Sequence, residues 1–381
     1  MIYLDNNATT PVDPRVLEVM LPYFTEVYGN AASNDHEMGV TAKRAVDKAR
    51  DQIASLINAK PDEILFTSGA TESDNIALFG VAERYAKEGD HIITCVTEHK
   101  AVLDCCQRLE KMGKRVTYLP VDQYGMVDPD AVRQAITPQT ILISIMAANN
   151  EIGTIAPIAE IGKIAREHEI IFHTDATQAV GHIPINVKAM HIDLLSMSAH
   201  KCYGPKGVGA LYRGSSPRVR LEPVIYGGGH EKGVRSGTLN VPGIVGFGEA
   251  LHIAKKEMPK EHDRFWEWTE QMFAYFENEL GDVQRNGHPI QRLPHNLNVS
   301  FAGVESRGLI VKLKDVAIAT GSACTSAKTE PSHVIQALGF GDDRAHTAIR
   351  ISVGRFNTVD EIGMAIDRVV SAVGDLKKLR V

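Results

Sequence analysis

The sequence has no apolar stretch as long as a membrane span, and its start, Met1-Ile-Tyr-Leu-Asp5, lacks the basic and apolar regions of a secretory signal. Both absences lead to the expectation of a cytoplasmic protein with no membrane partner. Positive charge is not in excess either. Lys and Arg number 41 against 47 Asp and Glu, a formal net charge of -6, which argues against direct nucleic-acid binding. Cysteine is scarce: none of Cys95, Cys105, Cys106, Cys202 and Cys324 belongs to a C-x-x-C pair. Neither a zinc site nor a thioredoxin-like motif is indicated, and no metal is expected. The glycine-rich stretches Gly227-Gly-Gly229 and Gly233–Thr238 match neither a Walker loop nor a dinucleotide fingerprint. Internal repeats and low-complexity linkers are absent as well.

What is present is a chain of 381 residues, 44% apolar, enough for two lobes, since single cores stop growing at roughly 250 to 300 residues. Short apolar, β-branched runs predict strands at 63–67, 91–96, 115–119, 140–145, 170–173, 193–197 and 208–212. Helical patterns fall between several of them, one opening at Ser68 and running to about Lys87. This βαβ rhythm predicts an α/β protein with an open, mainly parallel sheet. From Gly243 a long helical segment carrying Trp266 and Trp268 leads away, and shorter strands and helices follow, ending in an amphipathic helix from Thr358. The expected division is a large domain over 14–255 and a smaller α+β domain made of 1–13 and 256–381.

Asp175-Ala-Thr-Gln178 is followed, after one further apolar run, by Ser198-Ala-His-Lys201. A pyridoxal phosphate site needs a lysine amine to hold the aldehyde and a carboxylate opposite the pyridine nitrogen. Asp175 and Lys201 are of those types, each expected just past a strand end, where open α/β sheets bind ligands. Singly, Asp175 reads as a helix cap and Lys201 as a solvated loop lysine; together they favour the cofactor. Gly69-Ala70-Thr71 offers amides and a hydroxyl to a phosphate at a helix start, although Thr71 could equally be an N-cap. Ser198 and His200 add two donors. Among the cysteines, Cys95 reads as core and Cys105 and Cys106 as buried helix residues. Cys324 lies in the small, polar run Thr320–Ala327, which suits a reactive thiol and an ordinary turn equally.

Ordered motifs over nearly the whole chain resemble the cysteine desulfurases of the NifS/IscS class, within the class-V aminotransferases. They are Tyr3-Leu-Asp-Asn-Asn-Ala-Thr-Thr-Pro11, Thr67-Ser-Gly-Ala-Thr-Glu-Ser-Asp-Asn75, Thr97-Glu-His-Lys100, Asn149-Asn-Glu-Ile-Gly153, Ser198-Ala-His-Lys-Cys-Tyr-Gly-Pro-Lys-Gly207, Arg235-Ser-Gly-Thr238, Gly321-Ser-Ala-Cys-Thr-Ser-Ala327 and Arg350-Ile-Ser-Val-Gly-Arg355. The resemblance implies a fold-type I pyridoxal 5'-phosphate-dependent transferase that converts L-cysteine to L-alanine and leaves a persulfide on Cys324. It implies that Lys201 holds the cofactor and shuttles the α proton, and that Asp175 pairs with the pyridine nitrogen. Gln178 and Asn150 would lie by the ring, and His99 would stack on it and take part in proton transfer. Ala70, Thr71, Ser198 and His200 would hold the phosphate, joined by Thr238 from the second subunit of a homodimer. Arg350, with Asn7 and Asn150, would bind the substrate carboxylate; the plainer role for Arg350 is a structural salt bridge.

The Cys324 motif is similar to that of the mobile-loop subgroup. Ala31 stands where the family commonly has proline, Cys202 where it has an apolar residue, and Val381 follows the last helix closely where housekeeping members carry a docking tail. The sulfur acceptor is accordingly left open among an iron-sulfur scaffold, a tRNA-thiolation relay and a DNA-phosphorothioation system. A selenocysteine lyase or an aminotransferase of the same fold are the alternatives.

Overall fold

The computed structural model describes residues 1–320 and 331–379. Its strands in chain order are β1 (Ile2–Tyr3), β2 (Ile64–Thr67), β3 (His91–Cys95), β4 (Arg115–Leu119), β5 (Thr140–Ser144), β6 (Ile171–Asp175), β7 (Leu194–Ser198), β8 (Gly209–Arg213), β9 (Val283–Asn286), β10 (Asn296–Phe301), β11 (Val316–Ala317), β12 (Ala319–Thr320) and β13 (Ala348–Ser352). Seven of these form one sheet in the order β2-β8-β7-β6-β5-β3-β4. The four pairings from β7 through to β4 are parallel, and β8 alone runs against both β2 and β7. The expected mainly parallel sheet is therefore present with one reversed strand.

Neighbouring residues on these strands face opposite sides. Leu65, Ile92, Leu142 and Leu194 join one core, whereas Phe66, Ile93, Ile143 and Leu195 join the other. Helices cover both sides, which is why these strands read as continuous apolar runs rather than alternating ones. Ala70–Arg84 and Lys100–Lys111 close the first face with Ile76, Leu78, Val81, Val102 and Leu109. Cys105 and Cys106 are buried there, and Cys95 and Cys202 are buried on the opposite side. Burial pushes the thiols of Cys95, Cys105 and Cys202 up to about 12, so they are inert at neutral pH.

The helix Val241–Leu280 runs without a break past the position where a lobe boundary is expected. Its first part puts Ile244, Phe247 and Leu251 into the large core; its second part puts Phe265, Trp268, Met272 and Phe276 into a separate one. That second core also contains Ile2 and Leu4, the inward residues of the antiparallel sheet β12-β13-β10-β9, and Ile362, Ile366, Val369 and Val373 of the helix Val359–Lys378. Thr358 and Glu361 start that last helix as a reciprocal capping box, which satisfies two otherwise orphaned amides. No described helix is long and apolar enough to cross a membrane.

Candidate active site

The carboxyl ends of β6 and β7, the turn after β2 and strand β13 open on one cavity of about 550 Å³. Asn7, Ala70, Thr71, His99, Asn150, Asp175, Gln178, Ser198, His200, Lys201 and Arg350 all line it. Thr238 is exposed and outside it. Cys324 lies outside the described residues, as does the rest of the Gly321–Ala327 motif.

Asp175 is the last residue of β6 rather than the first beyond it. Its side chain is buried, with Oδ1 accepting from the Thr177 N–H at 2.9 Å. Two further buried carboxyls stand nearby. Burial first, then the Asp175 charge, push Asp74 well above its ordinary range. Glu98 is raised in the same way, although its Oε1 accepts from the Met146 N–H at 2.6 Å. Both shifts favour the neutral acid.

Lys201 ends a 3-10 turn, Ala199–Lys201, directly after β7. Its Nζ donates to the carbonyls of Asn7 at 2.6 Å and Ala8 at 2.9 Å. The amino-terminal segment therefore crosses the mouth of the lysine loop, and Gln178 Nε2 donates to the same Asn7 carbonyl at 3.0 Å. His200 contacts Thr9 Oγ1 through Nδ1 at 3.1 Å. Burial and the Lys201 charge lower His200 to about 4, so it meets a ligand as a neutral ring.

Across the cavity the helix Ala70–Arg84 begins with Gly69 at the cap position and no side-chain cap bond. Thr71 is thus not the cap that it could have been; it sits in the first turn, exposed towards the cavity. His99 caps the next helix: its Nδ1 accepts from the Ala101 N–H at 3.1 Å. With Nδ1 as acceptor, the proton of a neutral ring sits on Nε2. His99 in this arrangement is a donor, and accepting a proton at Nε2 requires it to give up its capping bond.

Arg350 lies on β13, opposite Asn298 of β10 and Ala319 of β12. Its Nη2 contacts Asp5 Oδ1 at 2.7 Å and Nη1 donates to the Asn150 carbonyl at 2.8 Å. Among the described residues, Arg350 Nε and Asn7 Oδ1 are buried and lack a hydrogen-bond partner. Asp74 Oδ1 and Oδ2 and Thr177 Oγ1, on other residues of the cavity lining, are buried and lack a hydrogen-bond partner as well, so polar atoms without such partners gather around this cavity. Asn149 makes the turn that presents Asn150: its Oδ1 accepts from the amides of Glu151 and Ile152.

Sequence reasoning did not assign Asp5, Asp74 or the Asn7 and Ala8 carbonyls. Asp5 stands in a quoted motif, and its membership of that motif was its available signal. The carbonyls left none, because backbone groups carry no residue signature.

The class-V aminotransferase family model matches residues 2–364. The cysteine desulfurase IscS of Anaeromyxobacter dehalogenans (strain 2CP-C) is 53% identical over 378 residues, covering 99% of this chain and 94% of that protein. Among solved structures, a NifS-like protein superposes with a TM-score of 0.92 at 38% identity, over 98% of this chain and 99% of that one. SspA, solved in complex with cysteine, superposes with a TM-score of 0.83 at 39% identity, over 94% of this chain and 100% of that one. Family model, sequence relatives and fold agree over nearly the full length, and the chain therefore belongs to the class-V aminotransferase family, among the cysteine desulfurases of the NifS/IscS class.

Proposed function

We propose that this cavity holds pyridoxal 5'-phosphate on Lys201 and desulfurates L-cysteine to L-alanine, with Cys324 receiving the sulfur. The carrying observation is the convergence on one cavity of a lysine amine, a buried carboxylate, an uncapped helix start and a buried arginine. The donor set fits the cofactor. The uncapped amides after Gly69, with the Thr71 and Ser198 hydroxyls and His200, suit a phosphate; Asp175 suits a protonated pyridine nitrogen.

When bound, the cofactor supplies an electron sink for the pair left at Cα as the C–H bond breaks. Lys201 is the base that takes the α proton, and the Asn7 and Ala8 carbonyls hold its amine in place. Arg350, with Asn7, binds the substrate carboxylate, while Asp5 and Asn150 fix the guanidinium plane. His99 packs on the ring and offers its Nε2 proton. The Cys324 thiolate forms the new S–S bond to the substrate sulfur, and the pair of the broken C–S bond goes to the substrate carbon.

A homodimer brings the partner subunit's Thr238 to the phosphate, in keeping with the exposure of Thr238 on its own chain. The lobes divide into 14–255 and 1–13 with 256–381, in keeping with the two cores. The cytoplasm, where a free thiol stays reduced, is the proposed compartment. The acceptor is an iron-sulfur scaffold, a tRNA-thiolation relay or a DNA-phosphorothioation protein.

The test uses two holoenzyme variants. Cys324→Ala should retain the cofactor absorbance and lose cysteine-dependent sulfide release, and Lys201→Ala should lose the lysine-bound absorbance. Undiminished sulfide release from Cys324→Ala would overturn the mechanism.

A further inference from the structure

Tyr203 stands two residues after Lys201 with a φ of +64°, a left-handed backbone that a tyrosine rarely adopts. Such a conformation persists only where the surroundings over-determine it. Here they do. Its N–H donates to Thr10 Oγ1 at 2.8 Å and its carbonyl accepts from the Asp13 N–H at 3.0 Å. Its Oη accepts from the Arg355 N–H at 2.6 Å, and the Arg355 guanidinium lies 4.2 Å from the ring centroid. The residue is only 2% exposed.

Arg355 is itself buried and held by acids from two other segments. Its Nη1 reaches Asp13 Oδ2 at 2.9 Å, and its Nε and Nη2 reach the two oxygens of Glu261 at 2.5 and 3.2 Å. Between these points runs the segment Asp5–Asp13. On one side Thr10 binds the His200 carbonyl through both N–H and Oγ1, at 2.9 and 3.0 Å. On the other, Asn6 Nδ2 binds the Ser352 carbonyl and the Asn7 N–H binds Ser352 Oγ, each at 2.9 Å. The loop of Lys201 and the strand of Arg350 are thus joined through a strap whose far end is closed by Tyr203 and Arg355.

We propose that Tyr203 and Arg355 form a clasp that sets the spacing between Lys201 and Arg350, and so act as positioning residues for desulfuration. This rests on the roles of Lys201 and Arg350 given above. An amino acid substrate must reach the Lys201 side through its amine and Arg350 through its carboxylate at once, so a change in their spacing weakens the hold on substrate and transition state alike and shows mainly in binding and KM. Neither clasp residue lines the cavity.

The holoenzyme variants Tyr203→Phe and Arg355→Lys decide the matter. The first removes the Oη acceptor and keeps the ring; the second keeps a cation and removes the planar fork. Both should retain the lysine-bound absorbance. The L-alanine dissociation constant, read from the change in that absorbance, and KM for L-cysteine should rise together by roughly tenfold, with kcat falling less than about threefold. A lower melting temperature with both constants unchanged would overturn the proposal, since a merely structural role predicts that result. Should Tyr203→Phe fail to fold, Arg355→Lys gives the same decision. Lysine-bound absorbance persisting in Lys201→Ala would instead refute the reading of the site, whatever the clasp variants show.

Discussion

Gly209 opens strand β8 between Thr67 of β2 and Ser198 of β7, directly behind the proposed phosphate cradle. A Cβ at this position would stand 2.6 Å from the Met197 carbonyl oxygen and 2.7 and 2.8 Å from Gly69 Cα and carbonyl carbon. All three neighbours are backbone, so none can rotate away. Gly209→Ala must therefore push the Gly69 turn towards the cavity, and overpacking of this kind costs about 1 to 3 kcal/mol. In the cofactor-free protein the turn can shift and relieve the strain. Phosphate binding requires it back, so the cost moves into binding: at about 1.4 kcal/mol per factor of ten, pyridoxal phosphate should bind roughly 5- to 150-fold more weakly. Titration of the cofactor-free variant, followed by the lysine-bound absorbance, measures this. Gly363→Ala is the control: it lies in the helix Val359–Lys378, a Cβ there meets nothing within 4 Å, and alanine should stabilise that helix by about 0.5 to 1 kcal/mol. The reasoning fails if Gly209→Ala binds the cofactor within twofold of the parent while its cofactor-free form melts earlier. The cradle would then not be where the strain is felt.

Two further outcomes are expected. Arg350→Gln removes the proposed charge-assisted contact to the substrate carboxylate, worth about 1.5 to 3 kcal/mol, so kcat/KM for L-cysteine should fall on the order of 10- to 150-fold with the cofactor absorbance intact; steady-state kinetics checks this. Glu151 is raised from 4.5 to about 7 by burial, against the lowering influence of the Ser332 hydroxyl bond. Between these values the unfolded chain has lost the proton that the folded chain keeps, so this group makes stability fall as pH rises through the interval. Glu151→Gln should remove that slope, so that stability relative to the parent, read from denaturant unfolding, is greater at pH 8 than at pH 5 by an amount on the order of 3 kcal/mol. Parallel pH dependence in variant and parent would refute it.

The seven strands were legible because parallel strands covered on both faces are continuous apolar runs, and each expected strand lies within two residues of the observed one. The reversal of β8 was not, since direction leaves no trace in composition. The change of core along Val241–Leu280 was legible as a change of pattern, but not as a point inside one unbroken helix. His99 shows the same limit in the site. Its residue type announced proton chemistry, yet only its bond to the Ala101 amide says which nitrogen carries the proton.

The sequence by itself supplied the inventory of the proposed reaction: Lys201, Asp175, Arg350 and Cys324 stand in motifs whose residue types suit it, because chemistry belongs to side chains. Tertiary structure alone decided what those groups meet. It set Asp5 on Arg350, the Asn7 and Ala8 carbonyls on Lys201, and a strained Tyr203 under Arg355. These partners lie up to 345 residues away in the chain or belong to the backbone. No local pattern encodes a contact that exists only once two distant segments have packed.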